Sequence, residues 1–148
     1  MFASEFVLGR QGAQDALALR ERVFVEELGC LREEVFSPED DNAAHLMVRV
    51  GDETVAAGRM TPENDGVRLA FLCVLPTWRR QRFFDLCVRL FLNKAANMGT
   101  PHVYITTPEA YTGYFEAFGF LENSRADGLV EMSINPEDVN WHSACKEH

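Results

Sequence analysis

Basic residues are scarce in this chain: 14 lysines and arginines stand against 23 aspartates and glutamates among 148 residues, for a formal net charge of -9. Such a charge repels a phosphate backbone, so we expect no nucleic-acid partner. The hydrophobic fraction of 47% is ordinary and excludes a wholly disordered chain. The length predicts one compact soluble domain, which we assign to residues 1–134, with a tail at residues 135–148.

Long apolar runs are absent as well. No stretch approaches the roughly 18 apolar residues of a membrane span, and the first residues, MFASEFVLGRQG, lack the basic start and apolar core of a signal peptide. The four cysteines, at positions 30, 73, 87 and 145, form no CxxC pair and have no histidine at zinc-ligand spacing. We therefore expect a cytoplasmic protein with reduced thiols, no membrane partner and no metal.

Hydrophobic residues recur with the strand period in some segments and with the helix period in others. The strand period predicts strands at residues 5–8, 45–50, 54–60, 67–75, 102–105, 120–122 and 129–134. The helix period predicts helices at residues 12–28, 78–98 and 108–118, with Arg20 off the apolar face of the first and Phe84 opening the apolar stripe of the second. An acidic loop occupies residues 30–42. This order predicts an α/β fold, a central mixed sheet with helices on its faces.

The junction between the fourth predicted strand and the long helix carries the most informative motif. Residues 74–84 read VLPTWRRQRFF, a strand end of the form V-x-P followed by three arginines. Four further segments accompany it: RVFVEE at 22–27, DDNAAHL at 40–46, VAAGR at 55–59 and YFEAFGF at 114–120. In this order the five segments resemble the GNAT superfamily of acyl-CoA-dependent N-acyltransferases, and they span about residues 5–134.

The resemblance implies a mixed, mostly antiparallel sheet of six to seven strands flanked by about four helices. It also implies transfer of an acetyl or other acyl group from acyl-CoA to an amine. In the family, the strand before the signature bulges, and its backbone binds the acyl-pantetheine arm; Leu72, Cys73 and Val74 match. The CoA pyrophosphate lies at the next helix N-terminus, where N–H groups and the helix dipole favour an anion. By resemblance, that part of the donor site includes Arg79, Arg80, Gln81, Arg82, Phe83 and Phe84.

The loop departs from the family signature at two positions. The signature reads Arg or Gln, two residues, Gly, one residue, and Gly or Ala; Arg79 matches, but Arg82 and Phe84 replace the two small residues. One interpretation is that CoA no longer binds there in the usual way. The other is that Arg79, Arg80 and Arg82 bind phosphate in place of the backbone amides, since an arginine fork binds phosphate bidentately. We expect Phe84 in the core.

The second departure from the family pattern concerns the residue that donates a proton. The amine must be neutral to attack, and the departing thiolate needs a proton. Many family members supply that proton from a tyrosine in the last helix, but the matching residue here is Phe115, which we group with the donor-binding residues. Tyr111 and Tyr114 are the candidate replacements. Tyr111 is the better geometric choice, because it precedes Phe115 by one helical turn on nearly the same face.

Candidate bases and acceptor-binding residues lie in and after the acidic loop. His45 titrates near neutrality when unperturbed and is a candidate base, with the acids at 26, 27, 33, 34, 40 and 41 as alternatives. Glu33, Glu34 and Asp41 are candidates for attracting a cationic amine substrate. Cys73 has no histidine or aspartate partner nearby in sequence, so we expect it to pack in the core rather than act as a nucleophile.

Three interpretations of the activity stay open. In the first, acyl-CoA acylates a small-molecule or peptide amine. In the second, an acyl carrier protein is the donor, because the VFVEE helix, the acidic loop and the G-R strand end also faintly resemble acyl-homoserine-lactone synthases. In the third, the chain is a non-catalytic GNAT fold that acts as a binding or regulatory module. GNAT folds often pair through sheet edges or C-terminal strands, so the resemblance also allows a homodimer.

Overall fold

Seven strands and four α-helices make up residues 1–142, the part of the chain that this computed structural model describes. The strands are β1 (Ala3–Leu8), β2 (Ala44–Val50), β3 (Glu53–Glu63), β4 (Gly66–Val74), β5 (His102–Pro108), β6 (Leu121–Ala126) and β7 (Leu129–Ile134). The α-helices are α1 (Gln14–Arg20), α2 (Arg32–Val35), α3 (Phe83–Asn97) and α4 (Thr112–Phe118). A π-helix covers Glu21–Glu27, and short 3₁₀ helices cover Pro38–Asn42, Pro76–Gln81, Glu109–Tyr111 and Pro136–Asp138.

The strands form one sheet in the order β1-β2-β3-β4-β5-β7-β6. The pairs β1–β2, β2–β3, β5–β7 and β6–β7 are antiparallel, whereas β4 pairs in parallel with β5 over Gly66–Arg68 and His102–Tyr104. The predicted fold class, a mixed and mostly antiparallel sheet of six to seven strands with about four helices, is confirmed.

Contacts along the chain define two compact units. The first comprises Met1–Pro62 and Leu69–Leu90, and its core includes Ala13, Ala16, Leu19, Val23, Met47, Ala57, Cys73 and Leu75. The second comprises Glu63–Arg68 and the chain from Phe91 onward, and its buried side chains include Val103, Ile105, Phe115, Phe118, Phe120, Val130 and Met132. Within residues 1–142 no helix is both long and apolar enough to cross a bilayer.

The first helix differs from its prediction in its second half. After Arg20 the α-helix widens into the π-helix, in which the Leu28 amide donates to the Val23 carbonyl at 3.0 Å. This change of phase leaves Leu28 60% exposed, whereas Arg20, in the preceding α-helix, is only 2% exposed. The prediction that Arg20 lies off the buried face was therefore wrong. Its charge is tolerated in the core because Asp40 is buried beside it.

The long helix also starts later than its apolar pattern predicts. The chain first forms the 3₁₀ helix Pro76–Gln81, and α3 begins only at Phe83. At this end of the core, Phe83 is buried and packs edge-on against Trp78 and Phe2, with ring centroids 5.8 and 6.3 Å apart. Phe84 is left 38% exposed, so the expectation that Phe84 is a core residue was wrong.

The first residues of the predicted tail belong to the second unit. Pro136 is buried, and the Asn140 amide donates to the carbonyl of Phe118, the last residue of α4, at 2.7 Å. Residues 143–148, and with them the rest of the predicted tail, lie outside the described residues. The domain boundary at residue 134 stays a prediction.

Candidate active site

Strand β4 loses regular geometry in its second half. Phe71 has a φ of 55°, a left-handed conformation that a bulky residue rarely adopts. This irregularity lies in the strand segment where the resemblance places a bulge. The next three residues, Leu72, Cys73 and Val74, are the predicted backbone partners of the acyl arm; Leu72 is half-buried and the other two are buried.

The loop after β4 preserves a glycine-like backbone without the glycine. Arg82 has φ 63° and ψ 24°, the left-handed conformation that glycine adopts at least cost, and its carbonyl accepts the Leu86 amide at 3.1 Å as α3 begins. Arg82 stands at the first glycine position of the family signature. Arg82 therefore makes, at the start of the helix, a turn that glycine would adopt with less strain.

Replacing Arg82 tests how much strain this turn carries. A non-glycine residue in the left-handed region costs roughly 1–2 kcal/mol. We expect Arg82→Gly to be more stable than Arg82→Ala by about 1 kcal/mol, because both remove the side chain and only glycine relieves the backbone. Urea unfolding of the two variants measures this difference. Equal stabilities would contradict a strained turn.

Arg79 is exposed, but its guanidinium group is bonded to other residues of the chain. Its Nε donates to the Val74 carbonyl at 3.0 Å, and its two Nη atoms each donate to a Glu27 oxygen at 2.7 Å. The bonds from Arg79 hold the pKa of Glu27 below its ordinary value, so this acid is a poor candidate base. The interpretation of three phosphate-binding arginines is therefore corrected to two, Arg80 and Arg82.

The start of α3 already contains one carboxylate. Asp85 lies in the first turn with 8% exposure, and its Oδ2 is 2.7 Å from Arg89 Nε and 3.7 Å from Arg82 Nη2. An acid in the first turn interacts favourably with the helix dipole. Arg80, Gln81 and Arg82 are exposed around it. The arginines outnumber the acid, so this helix start carries an excess of positive charge.

The two candidate tyrosines belong to the second unit and differ in environment. Tyr111 ends the 3₁₀ helix Glu109–Tyr111 and is 60% exposed, whereas Phe115 on α4 is 7% exposed. Because α4 begins only at Thr112, with Tyr111 as its N-cap residue, the shared helical face of Tyr111 and Phe115 stays a prediction. Tyr114 is half-buried, with its ring edge-on to Phe115 and Phe118 at 5.0 and 5.3 Å.

A buried charge cluster, which we define as Arg20, Asp40 and Arg59, lies beside the irregular strand in the first unit. Asp40 Oδ1 accepts from Arg20 Nη1 at 2.9 Å and from Arg59 Nη1 at 3.1 Å. The three residues are 2%, 1% and 7% exposed. Both guanidinium carbons lie over the ring of Phe71, at 4.7 Å for Arg20 and 4.9 Å for Arg59. Burial alone raises the pKa of Asp40, but the bonds from the two arginines outweigh it and lower the pKa overall.

His45 supports this cluster and is not placed to act as a base. It is fully buried, and its Nε2 donates to the Asp40 carbonyl at 2.9 Å. Burial lowers its pKa; the bond to the Asp40 carbonyl opposes this, and the nearby charge of Arg20 adds to it. A fully buried ring cannot reach an amine from solvent. The candidate role of His45 as general base is therefore corrected to a structural one.

The buried His45 makes stability depend on pH in a defined window. The unfolded chain binds a proton on this ring near the ordinary pKa of 6.5, and the folded chain binds it only at lower pH. The contribution of neutral His45 to the free energy of unfolding is therefore fully present above about pH 6.5. It falls as the pH drops from there towards the lower pKa of the folded state, by at most about 1.4 kcal/mol per pH unit. Urea unfolding across this range measures the slope. We expect His45→Gln to remove this pH dependence. The control variant His102→Gln, at a half-buried strand position, should keep it.

The acceptor-binding candidates of the acidic loop are not equivalent. Glu34 Oε1 accepts the Leu31 amide at 3.1 Å and so caps α2. Asp41 accepts two bonds from Arg10, at 2.7 and 2.9 Å, and its charge is neutralised at the surface. Glu33 is exposed. Two of the three predicted residues are therefore already bonded within the chain.

Two of the described cysteines, Cys73 and Cys87, are buried, and Cys30 is partly buried. Cys30, Cys73 and Cys87 are free thiols, and burial raises the pKa of Cys73 to about 12, which keeps its thiol protonated near neutral pH. This agrees with the expectation that Cys73 is not a nucleophile. Among residues 1–142, no three His, Cys, Asp or Glu side chains group as metal ligands would.

Sequence reasoning missed Arg20, Arg59 and Phe71 as members of one site. A signal for Arg59 was present, because this arginine stands in the otherwise apolar strand segment 55–60. A buried arginine needs a carboxylate partner, and the acidic loop supplies several candidates. The partner of Arg59 is Asp40, 19 positions earlier in the sequence, and local sequence patterns do not encode such a contact.

The chain is similar to known acetyltransferases in sequence and in fold. No family model matches it. It is 24% identical over 116 residues to the uncharacterized N-acetyltransferase YjcF of Bacillus subtilis (strain 168), which covers 78% of this chain and 83% of the relative. A crystal structure from Lactobacillus plantarum, named as an N-acetyltransferase, superposes with a TM-score of 0.82 at 22% identity, over 90% of this chain and 97% of that one. A GNAT family acetyltransferase from Elizabethkingia anophelis with acetyl-CoA bound has a TM-score of 0.71 at 11% identity, over the same shares.

Proposed function

We propose that the chain is a member of the GNAT superfamily and that it transfers an acetyl or other acyl group from acyl-CoA to an amine. The observation that carries the proposal is the left-handed backbone of Arg82 between β4 and α3. It keeps a turn that glycine normally makes, directly before a helix N-terminus, where phosphate is favoured. A relative in fold has acetyl-CoA bound, which supports the same donor here.

We propose that the donor binds the first unit in two places. The backbone of Leu72, Cys73 and Val74 would bind the pantetheine arm, although the Val74 carbonyl already accepts one bond from Arg79. The exposed arginines Arg80 and Arg82 would bind the pyrophosphate at the start of α3. Their guanidinium groups lie where the helix dipole disfavours cations, by roughly 0.3–1 kcal/mol each. A bound anion would remove that penalty.

The reaction we propose is direct attack within a ternary complex. When bound, acyl-CoA supplies a thioester whose carbonyl carbon is electrophilic. The nitrogen of the neutral amine forms a bond to this carbon, and the carbon–sulfur bond breaks. The proton that the nitrogen loses balances the thiolate, so the products are an amide and free CoA thiol. We propose a tyrosine hydroxyl as the proton donor to the thiolate, with Tyr111 and Tyr114 as the candidates.

Two measurements test this function. Calorimetric titration with acetyl-CoA, longer acyl-CoAs and free CoA measures donor binding, and we expect micromolar affinity for at least one thioester. A thiol-release assay with a panel of small and peptide amines then measures transfer. Tyr111→Phe and Tyr114→Phe are compared there, and the variant that loses rate while keeping donor affinity identifies the proton donor. No binding at millimolar donor contradicts the acyl-CoA proposal.

A second candidate is a non-catalytic binding module. It is favoured by Asp85 in the first turn of α3 and by Phe115 at the position of the family tyrosine. The same thiol-release assay also tests an acyl carrier protein as the donor. If thiol is released from neither donor although a donor binds measurably, the non-catalytic module is supported.

The free cysteines of the described residues support a proposed reducing, cytoplasmic location. A homodimer stays a prediction.

A further inference from the structure

The residue that interrupts the regular geometry of β4 is a bulky aromatic. Phe71 has a φ of 55°, a conformation in which the Cβ of a large side chain crowds its own backbone. Such a residue persists only where the surrounding structure over-determines its conformation. What holds this turn must therefore lie in the contacts that the Phe71 side chain makes.

Three elements of the first unit contact the Phe71 ring. Arg20, at the end of α1, has its guanidinium carbon 4.7 Å from the ring centre, and Arg59 on β3 has its own at 4.9 Å. Phe24, in the π-helix Glu21–Glu27, packs edge-on with its ring centre 5.3 Å away. A guanidinium group within about 6 Å of a ring centre is attracted to the ring face, and more strongly when the pair is away from water.

The two guanidinium groups are fixed without the ring. Asp40 Oδ1 accepts from both, and Arg20 Nη1 also donates to the Val35 carbonyl at 3.2 Å. The acid is held in turn, because its Oδ2 accepts the Ser37 amide at 3.3 Å and its carbonyl accepts from His45 Nε2 at 2.9 Å. All of these partners lie outside β4. The buried charge cluster is therefore anchored independently of the strand that it contacts.

The charge of the cluster favours an aromatic partner at position 71. Two arginines share one aspartate, which leaves an excess positive charge in the protein interior. The face of an aromatic ring carries the negative part of its quadrupole. A ring therefore compensates a cation without a further ionised group that would itself have to be desolvated. An aliphatic side chain at this position would fill space without compensating the charge.

The turn at Phe71 determines where the next residues of β4 lie. Residues two apart in a strand point to the same face of the sheet. Cys73 packs in the core of the first unit with Leu19 and Val23, on the side of the first helix, and Phe71 contacts that helix as well. The cluster and the core thus hold alternate side chains of one short segment, and the backbone of residues 72–74 is fixed between them.

We propose that Phe71 is a positioning residue for the acyl donor: the buried charge cluster holds its ring, and the ring holds the left-handed turn that sets the backbone of residues 72–74. In this role Phe71 acts through the backbone and not through a contact between its ring and the donor. The inference rests on the proposed function, because that proposal assigns the acyl arm to residues 72–74.

Backbone NMR of the full chain tests the turn without any donor, since chemical shifts and couplings report the sign of φ at residue 71. Phe71→Leu keeps an apolar side chain and loses the ring. We expect this variant to leave the left-handed conformation, or to broaden the signals of residues 72–74 through exchange, whereas Phe71→Tyr keeps both ring and turn. The control Phe6→Leu makes the same substitution on β1, which β2 and β3 separate from β4, and should leave the turn unchanged.

Donor titration of the same samples tests the positioning role. We expect Phe71→Leu to weaken acetyl-CoA binding by about tenfold, the equivalent of one well-desolvated contact between a cation and a ring. The nucleotide half of CoA, which lacks the acyl arm, should bind this variant as it binds the native chain. Phe71→Tyr and Phe6→Leu should bind acetyl-CoA normally. An equal loss for acetyl-CoA and for the nucleotide half would indicate a general structural defect and would overturn the inference.

The two proposals fail in different ways. A left-handed residue 71 with sharp signals at residues 72–74 in Phe71→Leu overturns the inference whether or not a donor binds. Unchanged acetyl-CoA affinity in a variant that has lost the turn overturns it too, and leaves the proposed function standing. If the native chain binds no acyl-CoA, the proposed function fails, and the NMR comparison still decides whether the ring holds the turn. If Phe71→Leu does not fold, as judged by its melting curve, Phe71→Met replaces it as the variant without a ring.

Discussion

Replacing Asp40 with asparagine is expected to destabilise the folded state by about 3–5 kcal/mol, because removing one partner of a buried ion pair leaves an uncompensated buried charge. Here two guanidinium groups, 2.9 and 3.1 Å from the same oxygen, would lose their only buried carboxylate among the described residues. Urea unfolding measures the loss. A fall of this size is a large share of the roughly 5–15 kcal/mol that stabilises a typical domain.

The neighbouring acid provides the matched control. Asp41→Asn removes the same charge one residue later, but its pair with Arg10 is exposed, so we expect a loss of about 0–1 kcal/mol. Arg59→Gln should fall between the two, because it leaves Arg20 and Asp40 as a neutral pair. Equal losses for Asp40→Asn and Asp41→Asn would show that the cluster contributes no more than a surface pair.

Much of the fold follows from sequence because its determinants are local. The two-residue turn between β2 and β3 and the change from strand to helix period at Pro76 each show in a few adjacent residues. The same holds for β7, which was predicted at 129–134 and is observed as Leu129–Ile134. The position of the signature segment directly after β4 was predicted for the same reason. The conformation of this segment was not predicted, because the arginine at position 82 does not by itself indicate a glycine-like backbone.

Two errors share a physical cause, which is a helix that does not keep one period. The π-helix after Arg20 leaves Leu28 exposed, and the 3₁₀ helix before α3 leaves Phe84 exposed. Spacing rules assume about 100° per residue throughout, so each change of helix type shifts every later side chain.

The altered signature loop predicts opposite effects on donor binding and on stability. We expect the double variant Arg80→Gln with Arg82→Gln to weaken acetyl-CoA binding by about 100-fold, since a hydrogen bond to a charged group contributes about 1.5–3 kcal/mol and about 1.4 kcal/mol is tenfold. The same variant should unfold at equal or higher urea concentration, because it removes two cations from a helix N-terminus. Calorimetry and urea unfolding measure the two effects.

A control with the same change of net charge distinguishes local contacts from the field of the whole protein. The double variant Arg32→Gln with Arg125→Gln removes two exposed arginines outside the signature loop. If long-range attraction alone mattered, this variant would weaken donor binding as much as the variant with Arg80 and Arg82 replaced. We expect less than about a threefold change at physiological salt, where exposed charges are screened beyond roughly 8 Å. If the loop variant binds as tightly as the native chain, the backbone amides of α3 bind the phosphate without arginine. The left-handed turn at Arg82 would then be the only feature of the signature that matters.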